Sequence, residues 1–75
     1  SYIKEESKMR IHRALSELPT DYRLVLWLVF FEGFSNKEAA IAMKKSDRQI
    51  KNLLYRAKQS LKSKLEKEDY VYEEL

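Results

Sequence analysis

Apolar and polar residues recur along this chain at helical spacing in four stretches, parted by short breaks. In residues 4–18, Met9, Ile11, His12, Leu15 and Leu18 place bulk on one side with charges between them, which predicts a first helix. Pro19 ends it, because proline neither donates an amide nor lets the preceding residue stay helical. Thr20 is the expected N-cap of the next helix, and Asp21 suits the positive end of its dipole. That helix runs through LVLWLVFFE to Gly33, a residue suited to a helix C-terminus. Its middle is apolar all round, the pattern of a central helix, and Trp27, Phe30 and Phe31 are expected to fill the core.

The segment 35–57, SNKEAAIAMKKSDRQIKNLLYRA, organises the rest. Ser35 with Glu38, and Ser46 with Gln49, each have the spacing of a capping box, so two helices start there. Phe34 stands where a hydrophobic staple would hold the entry to the first of them. Between the two lies only Lys44-Lys45. Turns of this kind often carry glycine; a lysine is costly there if φ is positive, and a longer or differently shaped turn is the alternative. The last helix is expected over 47 to about 67, a length of about 30 Å. On a wheel, Ile50, Leu53, Leu54, Ala57, Leu61 and Leu65 share one side, while Arg48, Asn52, Tyr55 and Gln59 share the other. Two capped helices joined by so short a turn fit a helix-turn-helix, whose second helix can lie in the DNA major groove.

Charge sharpens this picture. The chain of 75 residues carries +3 overall, but residues 35–67 hold ten Lys or Arg against three acids, net +7. Residues 1–34 are neutral and residues 68–75 carry net −4. A concentration of positive charge on a helix-turn-helix is the electrostatic footprint of a polyanion binder. The length implies one domain, and the absence of cysteine removes disulfides and thiolate zinc sites and suits a reducing compartment. The longest apolar run, residues 24–31, is too short to span a bilayer and lacks a signal-peptide layout.

Arg48 and Asn52, with Gln49 and Tyr55, are the candidates for base readout, since Arg and Asn fit guanine and adenine edges. Lys44, Lys45, Ser46, Lys51, Arg56, Lys58 and Lys62 are the candidates for the phosphate backbone, which positions without specifying. His12, the sole histidine, has no partner at metal or general-base spacing and reads as a surface or boundary residue. No Gly-rich phosphate loop, metal cluster or nucleophile–base pair is visible, so neither an enzyme nor a cofactor is expected. In the tail EDYVYEEL, Tyr70, Val71, Tyr72 and Leu75 offer apolar bulk for packing back on the body, and the acids could shield the basic surface. A partly ordered tail without a specific role is the expectation.

Leu18-Pro19 followed by Arg23, the apolar helix, E-G-F-S with Glu38-Ala39-Ala40, then Ser46, Ile50-Lys51 and Tyr55-Arg56-Ala57 form an ordered set. Over residues 9–65 it resembles the C-terminal region four of bacterial RNA polymerase sigma factors, nearest to the extracytoplasmic-function type. The resemblance implies an all-α domain of four helices, winged-helix-like and without a sheet. It implies binding of the promoter minus-thirty-five element through the last helix, contact with the flap of the polymerase β subunit, an anti-sigma factor as a further partner, and a cytoplasmic, nucleoid-associated setting. Asp47, Arg48, Lys51 and Asn52 match the groove-facing start of the recognition helix, and Tyr55 and Arg56 match positions nearing bases or backbone. Lys44 departs from the family's common glycine, Lys45 from a small apolar residue, and Leu53 from a basic one.

Two other readings remain open on the residues. Ser35-Asn36-Lys37-Glu38 also resembles LuxR-type helix-turn-helix regulators, which dimerise through the last helix. The third is a sigma-like protein-interaction module that binds polymerase or an anti-sigma factor and touches DNA weakly. The single domain expected here covers residues 1–75, with the helix-turn-helix at 35–67 and the acidic tail at 68–75.

Overall fold

A computed structural model describes the backbone of residues 2–74 and the side chains of residues 8–67. The described residues form four helices, α1 (Tyr2–Ser16), α2 (Thr20–Leu26), α3 (Asn36–Met43) and α4 (Asp47–Glu74), and a π-helical turn, Trp27–Phe31, continues α2. The described residues contain no strand.

α1 stops two residues short of Leu18 because its end tightens before the proline. Glu17 and Leu18 donate to the carbonyls three residues back, Ala14 (3.2 Å) and Leu15 (3.0 Å). The cap expected at Thr20 sits one residue earlier. Pro19 is extended (φ −54°, ψ 151°), makes no side-chain cap bond, and its carbonyl accepts from Arg23 at 3.0 Å. Thr20 is thus already helical, and Asp21 alone complements the first turn.

The second helix does not run to Gly33 as a plain α-helix. The Glu32 amide reaches back five residues to the Trp27 carbonyl at 3.0 Å, and the Phe34 amide six residues to the Leu28 carbonyl at 2.9 Å. Gly33 takes φ 74°, the left-handed conformation that lets the chain turn into α3. Phe34, half-buried, then packs on the core beside the Ser35 cap.

The core is small and aliphatic. Leu15 and Leu18 meet Val25 and Leu26 of α2, Ala39 and Ala40 of α3, and Ile50, Leu54 and Ala57 of α4. The two alanines let α3 approach closely, as their small size requires. Burial of Leu26 or Ile50 contributes about 1.5–3 kcal/mol each. Leu53 and Leu61 pack against this cluster while partly exposed, and Leu65 is also half-buried. Met9, placed on the inner face by its spacing, is 63% exposed.

The aromatic expectation fails. Trp27, Phe30 and Phe31 are 39%, 55% and 47% exposed and Leu24 is 41% exposed, so the helix is not buried all round. The aliphatic and alanine side chains already close the centre, and one layer of helices around α2 leaves no volume for three large rings. The last helix extends past the expected end near residue 67, through Glu74. The side chains of the acidic tail, including Tyr70, Val71 and Tyr72, lie outside the described residues, as does Leu75 altogether.

Candidate nucleic-acid interface

The helix-turn-helix is built from local hydrogen bonds that the sequence spacing anticipates. Ser35 Oγ accepts from the Glu38 amide at 3.1 Å, and the Ser35 amide donates to Glu38 Oε1 at 2.9 Å. Ser46 Oγ accepts from the Gln49 amide at 3.1 Å, and the Ser46 amide donates to Gln49 Oε1 at 2.8 Å. Both capping boxes are therefore complete, and each orients a helix start. The bonds from Ser35 hold the Glu38 carboxyl below its ordinary value of 4.5, the backbone amide contributing most.

The turn keeps the geometry for which glycine is usual. Lys44 takes φ 56°, ψ 46°. The Lys45 amide donates to the Ala40 carbonyl at 2.9 Å and the Lys44 amide to the Ile41 carbonyl at 3.3 Å. These are the two closures of a Schellman motif, with lysine in its left-handed position. The turn is neither longer nor differently shaped; a lysine bears the strain.

Arg48, Lys51, Asn52, Tyr55 and Arg56 are all exposed on the first three turns of α4. Lys45, Gln49, Asn52, Leu53 and Arg56 border a shallow recess of ≈ 230 Å³. Three candidates have prior engagements. The Gln49 carbonyl oxygen serves the Ser46 cap, which leaves only its NH₂ for a base edge. The Lys45 ammonium lies 4.0 Å from Asp21 Oδ2, tying the turn to the start of α2. Ser46 Oγ accepts within the cap and keeps its hydroxyl proton for donation.

Lys58 and Lys62 fall in different surroundings. Lys58 Nζ sits 5.2 Å from the Phe30 ring centroid, and Lys62 Nζ lies 4.0 Å from Glu66 Oε1. Both border a groove of ≈ 360 Å³, lined by Ile11 and Leu15 of α1, Phe30 and Phe31, and Leu61 and Leu65 of α4. Sequence reasoning missed this groove. Its signal was the length of the apolar run at 24–31, more than a domain of this size buries. Beside it, His12 stacks on Phe31 (5.6 Å between centroids) and Phe31 on Trp27 (4.7 Å). Trp27 Nε1 donates to Glu32 Oε1 at 3.2 Å. His12 is exposed, in keeping with its reading as a surface or boundary residue.

Fold and site together define a helix-turn-helix domain whose second helix presents a basic, amide-bearing outer face. The match to known proteins narrows this further: residues 8–61 fit the family model described as Sigma-70, region 4. Over 59 residues the chain is 37% identical to RNA polymerase sigma factor SigV of Bacillus subtilis (strain 168), covering 79% of this chain and 36% of that protein. The chain belongs to the sigma-70 region 4 family. It spans about a third of the length of that curated relative.

Proposed function

We propose that this domain reads the minus-thirty-five element of promoter DNA during transcription initiation, as part of a sigma factor. The observation that carries this reading is the doubly capped helix-turn-helix of a sigma region four chain, with Arg48, Asn52 and Tyr55 exposed at the start of its second helix. Arg48 and Asn52 supply base contacts, Tyr55 extends them, and the Gln49 NH₂ donates where its cap leaves it free. Lys44, Ser46, Lys51 and Arg56 supply the phosphate contacts, joined by Lys45 once it exchanges Asp21 for a phosphate. Lys58 and Lys62 add long-range attraction from further along α4.

RNA polymerase, engaged through the flap of its β subunit, and an anti-sigma factor are the protein partners in this reading. The family match disfavours the LuxR-type alternative. Selection from random duplex DNA, followed by binding of the recovered sequences against salt, tests the proposal. The expected result is one asymmetric motif with a steep salt slope. Salt-dependent binding with no recovered motif would refute sequence reading by this domain.

A further inference from the structure

The shallow recess on the flank of α4 has a lining rich in donors. Lys45, Gln49, Asn52, Leu53 and Arg56 border its ≈ 230 Å³. Lys45 and Arg56 each bring a cation and no acceptor. Gln49 brings only its NH₂, because its carbonyl oxygen accepts from the Ser46 amide at 2.8 Å. Asn52 can turn either end of its amide toward an occupant. Every base pair shows both donors and acceptors in the major groove. A phosphate shows acceptors alone, and two cations beside an amide donor match it.

Position points the same way. Lys45 precedes α4, and Arg56 stands in its third turn. A helical side chain leans toward the N-terminus of its helix, so Arg56 leans back toward Lys45. Leu53 is the apolar wall among the lining residues. It is half-buried and packs against the core, which holds it in place. The carbon face of a sugar next to a phosphate suits such a wall. The Lys45 ammonium lies 4.0 Å from Asp21 Oδ2, an exposed pair that costs little to exchange for a phosphate.

We propose that this recess seats a single phosphodiester of the promoter backbone, gripped jointly by Lys45 and Arg56, with the Gln49 NH₂ donating to it and its deoxyribose against Leu53. Gln49 is then a backbone residue and not a base reader. Asn52, exposed at the edge of the recess, is set in register on the bases by the seated phosphate. The inference rests on DNA binding by the helix-turn-helix. It adds that two cations eleven residues apart in the chain share one phosphate.

Salt titration of the whole chain on one fixed duplex, then a methylphosphonate scan of a duplex recovered by selection, tests it. The slope of log affinity against log salt counts the phosphates neutralised, at about 0.9 each. Lys45→Ala and Arg56→Ala should each leave that slope nearly unchanged, because the other cation still neutralises the phosphate. The double variant should flatten it by about 0.9. The scan makes one phosphate neutral at a time, and both single variants should lose their deficit against wild type at the same position. Gln49→Glu keeps an acceptor for the Ser46 amide and puts a negative charge in the recess. It should weaken binding at least about tenfold and leave the selected motif unchanged. Circular dichroism confirms that each variant is folded. A slope that falls by about 0.9 in each single variant, and by twice that in the double, overturns the proposal. So does loss of the two deficits at different phosphates, or a Gln49→Glu variant that selects a different base. Failure of sequence reading is a separate result: selection then returns no motif, while the slopes on the fixed duplex still decide whether the phosphate is shared.

Discussion

Replacing Lys44 by glycine should make the domain more stable and its DNA binding weaker. Lys44 stands at φ 56°, ψ 46°, in the left-handed position of a complete Schellman closure. A side chain there costs about 1–2 kcal/mol by crowding between Cβ and the carbonyl. Glycine removes that cost and adds about 0.4–1 kcal/mol of unfolded-chain entropy. The net expectation is a gain of about 0.5–1 kcal/mol, which corresponds to a rise of several degrees in Tm for a domain of this size. Lys44 is exposed, so little packing is lost. The same substitution deletes a cation proposed to meet a phosphate, so the slope of log affinity against log salt should flatten by about 0.9. Lys44→Ala separates the two effects, since it removes the charge and keeps the strain. Urea unfolding reads stability through the midpoint at unchanged slope. Equal stabilisation by Lys44→Ala and Lys44→Gly, or destabilisation by Lys44→Gly, would refute the assignment of strain to this residue. Unchanged salt dependence in both would remove Lys44 from the phosphate contacts.

Arg48→Ala and Asn52→Ala should each relax preference at one base position by about 1–3 kcal/mol, read by repeating the duplex selection; an unchanged motif would sink the readout assignment. Ser46→Ala should lower unfolding stability by about 1 kcal/mol through loss of the cap on α4, with Ser46→Gly milder; equal, negligible shifts in the urea midpoint would show that the cap contributes little. Glu38 has its carboxyl held below 4.5 by Ser35, so its contribution to stability is complete above that value and is lost as pH falls through the lowered one. The urea midpoint of Glu38→Gln should therefore approach that of wild type in acid and lie below it at neutral pH; a difference that does not vary with pH would contradict the linkage.

The starts of α3 and α4 were legible because capping is short-range chemistry. Ser35 with Glu38 and Ser46 with Gln49 find each other three residues apart whatever the rest of the chain does. The stop at Pro19, the turn at Gly33, the inward side of α4 at Ile50, Leu54 and Ala57, and the basic character of residues 35–67 follow from residue type and spacing in the same way. Whether Lys44 would hold a left-handed turn was not decided locally. Two hydrogen bonds, donated by the Lys44 amide to the Ile41 carbonyl and by the Lys45 amide to the Ala40 carbonyl, hold the strained conformation while α3 and α4 both pack on one core.

Exposure was the property that the sequence left undecided. Trp27, Phe30 and Phe31 have the composition of a core, yet the space inside was taken by Val25, Leu26, Ile50 and small alanines. The π turn and the packing of α1 and α4 then set the Phe30 and Phe31 rings along a groove. Lys58 and Lys62 shared a charge pattern with Lys51, but position along α4 placed them beside that groove, where Phe30 and Glu66 were their neighbours. Local sequence thus determined where helices begin, turn and carry charge, because those choices involve bonds between near neighbours. Tertiary structure decided which apolar residues are enclosed and which cations remain free, because burial depends on the volume that distant helices leave to be filled.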